Sequence, residues 1–256
     1  MLTQTDSKTL AYVNSFAVLG TLENLCELVP EAKNLLKDKA PVSIGFDVKG
    51  GPSATLSFTK GGCHITDGCN NCTIKLPFSS CEKFNGLMEG TVTPIPSKGF
   101  TKINFLLKVF VPLTTLLTKY LRPSKEDLLS DEFRRVSTLL TLYTAAAAIS
   151  QVGNVDRSGK FSAHLIPDGD IAMEVYDSIG VTINVKNHFM TLSKKRCSNP
   201  RAVMRFSSLK TVDQLLSGEV SAMGCICSGS IAMSGMINMI DNLNRILDRV
   251  GQYLAA

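Results

Sequence analysis

Eight cysteines and three histidines are the side chains whose chemistry has to be placed first. Cys63, Cys69, Cys72 and Cys81 crowd one stretch, and Cys69-Asn70-Asn71-Cys72 is a C-x-x-C. Thiolates at that spacing can share one metal ion, but a complete site wants a second close pair, which Cys63 and Cys81 do not make. A redox C-x-x-C opens a helix, where the thiol pKa is lowered; Thr73 to Leu76 reads as a strand. Free thiols on strands, or a loop disulfide formed on oxidation, are the plainer reading of this cluster. Cys225 and Cys227 alternate and are expected on one strand face. His64 and His164 fall in strand-like segments, and His188 opens a loop. No serine or cysteine sits in a G-x-S-x-G elbow, no H-E-x-x-H occurs, and no G-x-G-x-x-G follows a strand. Asp131-Glu132 suits the first turn of a helix, where negative charge meets the helix dipole. Enzyme chemistry is therefore not what these residues point to, and no cofactor is expected.

Apolar side chains carry more information. Ile103, Phe105, Leu106, Leu107, Val109, Phe110, Val111, Leu113, Leu116 and Leu117 predict a helix that is hydrophobic on more than one face, kinked at Pro112. Met233, Met236, Ile237, Met239, Ile240 and Leu243 predict another. Such helices are wrapped by protein or line an apolar cavity, and methionine's flexible thioether suits the second use.

These two helices end two copies of one pattern. Phe78-Ser79-Ser80 with Leu87-Met88-Glu89-Gly90 returns 128 positions later as Phe206-Ser207-Ser208 with Leu215-Leu216-Ser217-Gly218. Upstream, Ile44, Phe46, Val48 align with Phe161, Ala163, Leu165 at an offset of 117. Downstream, Phe110 to Leu121 align with Leu243 to Leu254 at 133, so insertions are expected in the second copy. At this period, self-similarity means a duplicated domain. The boundary is placed at Arg122-Pro123-Ser124, giving copies 1–122 and 123–256.

Each copy reads as helix, strands, short helix, strand, apolar helix. In copy one, a helix over 10–37 is broken at Pro30. Alternation at Val42–Val48, Ala54–Phe58 and Cys63–Ile65 reads as an antiparallel meander, followed by a strand at 73–76. Ser80 caps a helix that Gly90 stops, and Thr91–Ile95 is strand-like. In copy two, a helix within 125–152 ends at Gly153-Asn154. Strands follow at 161–165, 171–176 and 181–185, then an insertion loop at 187–200 and a strand at 202–206. A helix at 209–217, a strand near 219–223 and a helix from 235 to 254 complete it. The class is α+β, an antiparallel sheet with helices on one face.

Leu215-Leu216-Ser217-Gly218-Glu219-Val220-Ser221-Ala222-Met223, then Ser228-Gly229-Ser230-Ile231-Ala232-Met233-Ser234-Gly235, resembles the sterol-carrier-protein (type 2) lipid-transfer family. Phe46-Asp47-Val48 and Ala54-Thr55-Leu56-Ser57-Phe58 resemble its opening strands. The resemblance implies two sterol-carrier-like domains, each a five-stranded antiparallel sheet and helices around an apolar tunnel. The implied ligand is a fatty acid, acyl chain or sterol-like lipid, carried without catalysis. Phe84, Phe105, Leu106, Val109 and Phe110 would line one pocket. Leu216, Met223, Met233, Met236, Ile237 and Ile240 would line the other. Copy one departs from the pattern, because Pro94, Pro96 and Lys98 stand where the family has a Gly-Ser strand. Two rivals stay open: the same fold used as a protein-interaction module without a cavity, and a metal or redox protein built on Cys63, Cys69, Cys72 and Cys81.

The remaining numbers set bounds. The chain has 256 residues, 44% hydrophobic and 19% charged, with a net charge of +5. Lys194-Lys195-Arg196 is the densest basic run and reads as a solvated loop, so nucleic acid is not an expected partner. The polar start predicts no signal peptide, and eight cysteines then argue for reduced thiols in a cytoplasm. The uncharged run from Val136 to Asn154 reads as a buried helix. Transient membrane contact and a homo-oligomer are left open.

Overall fold

The computed structural model describes residues 4–39, 41–176 and 178–255. The fold is α+β, and its compact units divide between Leu140 and Thr141.

In the first unit, Asp6 caps α1 (Ser7–Tyr12) by accepting from the Thr9 amide at 2.7 Å. The chain winds on through a π turn (Val13–Val18) and a 3-10 turn (Leu19–Thr21) into α2 (Leu22–Leu28). Val29 is extended, and Pro30 opens α3 (Pro30–Leu36), where its missing N–H leaves no bond unmade. The sheet has four strands, β1 (Val42–Val48), β2 (Ser53–Thr59), β3 (Gly62–Asp67) and β4 (Ile74–Phe78), in the order β3-β2-β1-β4. It is not the expected five-stranded antiparallel meander, because β4 pairs parallel to β1. Alternation encodes a strand's faces and not its neighbour's direction. The residues between β3 and β4 cross the sheet at Gly45, where a Cβ would stand 2.6 Å from the Cys72 sulfur. No strand forms at Thr91–Ile95; Pro94 and Pro96 cannot donate to a ladder, and a single bridge, Lys75 to Lys98, remains. Ser80 caps α4 (Cys81–Met88) as expected. A 3-10 turn (Phe100–Lys102), α5 (Ile103–Phe105), a π turn (Leu106–Phe110) and α6 (Val111–Leu121) then follow. The π turn sits just before Pro112, whose nitrogen has no hydrogen to donate.

The division falls inside α7 (Asp131–Val155), which runs through Gly153-Asn154 rather than stopping there. Asp156 then caps α8 (Arg157–His164). The strand expected at 161–165 is thus a helix, and a Cβ on Gly159 would meet the Val152 carbonyl at 2.2 Å, so glycine lets α8 fold tightly back on α7. The sheet comprises β5 (Gly169–Val175), β6 (Gly180–Lys186), β7 (Phe189–Ser193), β8 (Ala202–Phe206) and β9 (Ile231–Gly235), ordered β7-β6-β5-β8-β9 with β5 and β8 parallel. The expected insertion loop contains β7; Asn187 and His188, both at positive φ, make the two-residue hairpin turn before it. After α9 (Leu209–Leu216), the stretch read as a strand near 219–223 leads into α10 (Ala222–Cys227), capped by Ser221. Cys225 is therefore buried and Cys227 exposed on a helix, not paired on a strand face. Met233 lies in β9, and α11 (Ile237–Leu254) closes the chain.

The duplication is tighter than the sequence suggested. The pair Ile44–Leu56 across β1 and β2 becomes Ile171–Ile183 across β5 and β6, an offset of 127 in both strands. The pair Ile44–Ile74 becomes Ile171–Ala202, so one residue is added before β8. Upstream the offset stays at 127: Val29, ahead of α3, stands where Asp156 stands ahead of α8.

That exchange changes how the helices are held. Asp156 is buried, accepts from the Gly159 amide, and takes bonds from Arg249 at 2.8 Å and the Tyr253 hydroxyl at 2.7 Å. Burial pushes its carboxyl pKa up, but the bonds from Arg249, Gly159 and Tyr253 and the Arg249 charge outweigh this and hold it below its ordinary value. Its stabilising contribution is present above the unfolded-state value near 3.9 and is lost as pH falls through the lower folded value. Asp156→Asn leaves Arg249 buried without its counter-charge and is expected to destabilise the unit by about 3–5 kcal/mol at pH 7. Urea unfolding should show that gap shrinking below pH 4; a gap independent of pH would contradict the pairing.

Candidate functional site

All five residues expected to line a pocket in the first unit are buried. Phe84, Phe105 and Phe110 belong to a relay of six rings, Phe105–Phe58–Phe110–Phe46–Phe84–Phe78, with centroids 5.2 to 6.3 Å apart. Most pairs are edge-to-face, the geometry the ring quadrupole favours. Leu106 and Val109 complete the packing beside them. The protein's own phenyl groups pack between this sheet and its helices.

The second unit has no such relay. At the same offsets, Phe46 becomes Met173, Phe58 becomes Val185 and Phe84 becomes Val212; counted back from the ends of α6 and α11, Phe110 becomes Leu243. All four replacements are buried. Three methionines line up across adjacent strands, Met173 opposite Met204 and Met204 opposite Met233. Directly opposed residues share a sheet face, so this row runs from the buried Met173 to the half-buried Met233 on edge strand β9. The other face is polar, with Arg205 on Glu174 at 3.0 Å. Leu216 on α9, Met223 on α10, and Met236 and Ile237 at the start of α11 are all exposed; Met223 reaches 68%. Ile240, the sixth expected residue, is buried on α11 beside Met239. The residues expected from sequence thus separate into a packed set in one unit and an open apolar set in the other.

Sequence reasoning missed a signal it had in hand. Eight of the twelve phenylalanines precede residue 123, and seven of the nine methionines follow it. Met173 and Met204 were overlooked because a strand's partners are invisible in one dimension.

An open cleft of about 830 Å³ in the first unit is lined by Asp47, Lys49, Pro77, Phe78, Ser79, Lys83 and residues 92–97. It opens where β4 loses its neighbour, the place that β9 fills in the second unit. None of the expected pocket residues lines it.

The cysteine cluster comes apart. Cys63 lies 4.0 Å from the sulfur of Cys26 on α2, and that contact holds the Cys26 thiol pKa below its usual value against burial and the Glu27 charge. Cys69 accepts from the Ser53 hydroxyl, Cys72 donates to the Cys69 carbonyl, and Cys81 packs near Gly51. Among the described residues, no three His, Cys, Asp or Glu side chains gather as a metal site would require.

No family model and no curated protein matches the chain. Solved structures do. The chain is similar to the sterol carrier protein domain 2 of Helicoverpa armigera, at 14% identity and TM-score 0.35, over 43% of this chain and 87% of that one. It is similar to a crystal structure titled sterol carrier protein 2, at 13% identity and TM-score 0.33, over 43% and 92%. A sec-alkylsulfatase from Pseudomonas sp. matches at 10% identity and TM-score 0.25, over 56% of this chain and 28% of that one. At these scores the likeness carries no argument about ligand or activity.

If the phenyl relay is core and the methionine edge is not, truncation separates them. Phe46→Ala should cost about 3–5 kcal/mol. Met223→Ser should stay within about 0.5 kcal/mol. Thermal unfolding of the two variants reads the difference; equal losses would contradict the assignment.

Proposed function

We propose that this chain is a non-enzymatic binder and carrier of a hydrophobic ligand, a fatty acid, acyl chain or sterol-like lipid, seated in the second of two sterol-carrier-like copies, 1–122 and 123–256. One observation carries the reading: the phenyl relay that fills the first copy is replaced in the second by Met173, Val185, Val212 and Leu243, beside a methionine row that leads to an exposed apolar edge. Methionine side chains reshape around apolar guests of different outline. Each CH₂ moved onto them from water gains about 0.8 kcal/mol, so an acyl chain needs no reacting group to bind. Leu216, Met223, Met236 and Ile237 form the mouth; Met233, Met204 and Met173 form the floor. The first copy serves as a packed partner domain. The setting that suits eight free thiols is the cytoplasm.

Native mass spectrometry of the purified chain, before and after organic extraction, tests this. The expected result is an extractable mass of a few hundred daltons, on the order of one acyl chain or sterol. Met233→Glu, which puts a charge on the edge strand, should lower fatty-acid affinity at least about tenfold while leaving the melting temperature nearly unchanged. A bare chain that also ignores added fatty acid would leave the interaction module as the better reading.

A further inference from the structure

The Phe100–Leu121 segment has two apolar faces, and only one is used. Phe105, Leu106, Val109, Phe110, Leu113 and Leu117 are buried in the first unit's core. On the other side, Phe100, Ile103, Leu107 and Val111 recur at intervals of three, four and four residues and are 42% to 62% exposed. Isolated exposed apolar residues are ordinary; a stripe along one helix face is not.

The charges around the stripe say what fits it. From Thr91 to Arg122 the sequence holds Lys98, Lys102, Lys108, Lys119 and Arg122 and not one Asp or Glu. Lys119 is spoken for by Asp127 at 3.2 Å. Lys102 and Lys108 are exposed and sit within the span of the stripe. A second copy of the chain would bring the same lysines against these and repel. A surface carrying both negative charge and apolar depth satisfies both features, as an anionic lipid leaflet does.

We infer that the Phe100–Val111 face is a docking surface for anionic lipid membranes, on which the helix lies in the plane of the headgroups with Phe100, Ile103, Leu107 and Val111 inserted and Lys102 and Lys108 on phosphates. The run is long and apolar enough to span a bilayer by length and composition. Spanning would tear Phe105 and Phe110 out of the ring relay, so the helix rests on the membrane and does not cross it. This surface lies in the first unit and does not depend on a ligand seat in the second.

Flotation of the full chain with vesicles tests it, using phosphatidylcholine alone and phosphatidylcholine with about a third phosphatidylserine. The chain should float with the anionic vesicles, weakly with neutral ones, and less as salt rises. Leu107→Glu should weaken binding about tenfold or more. Lys102→Glu with Lys108→Glu should weaken it at least about twentyfold. All three substituted positions are exposed, so melting temperatures should match the parent and report that folding is intact. A parent chain that stays at the bottom of the gradient overturns the inference, as do variants that float like the parent. If Leu107→Glu instead abolishes a dimer on gel filtration without changing flotation, the face pairs copies of the chain and the membrane assignment is wrong.

Discussion

A protein interior is packed about as densely as an organic crystal, and that constraint governs this molecule twice over. A sheet covered by helices must be filled, either by its own side chains or by something else. In the first unit six phenyl rings meet the requirement. In the second, the same positions carry smaller or more pliable groups, and a methionine row runs across the sheet to its edge. The two sheets share a register at an offset of 127 residues and differ in what packs against them.

Strand pairing reinforces the difference. The first sheet stops at four strands because Pro94 and Pro96 remove the donors a fifth would need. The second sheet continues to β9, which carries Met233 and leads directly into the exposed start of α11. The second unit also has a clamp that the first lacks. Asp156, Arg249 and Tyr253 tie the start of α8 to the end of α11, where the first unit has Val29 in the equivalent place.

Much of this was written locally in the chain. Ser80 caps the helix its sequence announces, Pro30 starts a helix, and the Ser228–Gly235 segment holds β9. What failed was non-local or ambiguous in period. Phe161, Ala163 and Leu165 alternate as a strand would, but Asp156 as a cap and Gly159 against Val152 make them helical, and the wrong alignment hid a constant offset of 127. The parallel pairing of β1 with β4 left no trace in alternation. Of the residues expected to line a pocket, Phe84, Phe105 and Phe110 are buried, and whether rings fill a space or surround one depends on distances between segments far apart in sequence. Cys26, the nearest sulfur to Cys63, was missed for the same reason.

The most direct test is methyl NMR of the chain labelled at its methionine methyl groups, titrated with a long-chain fatty acid. Seven of the nine reporters lie in the second copy and Met88 in the first. Saturable shifts at Met173, Met204, Met233 and Met236, with Met88 unmoved, are the expected result. Shifts centred on Met88, or none at the methionine row, would contradict the assignment of the ligand seat to the second copy.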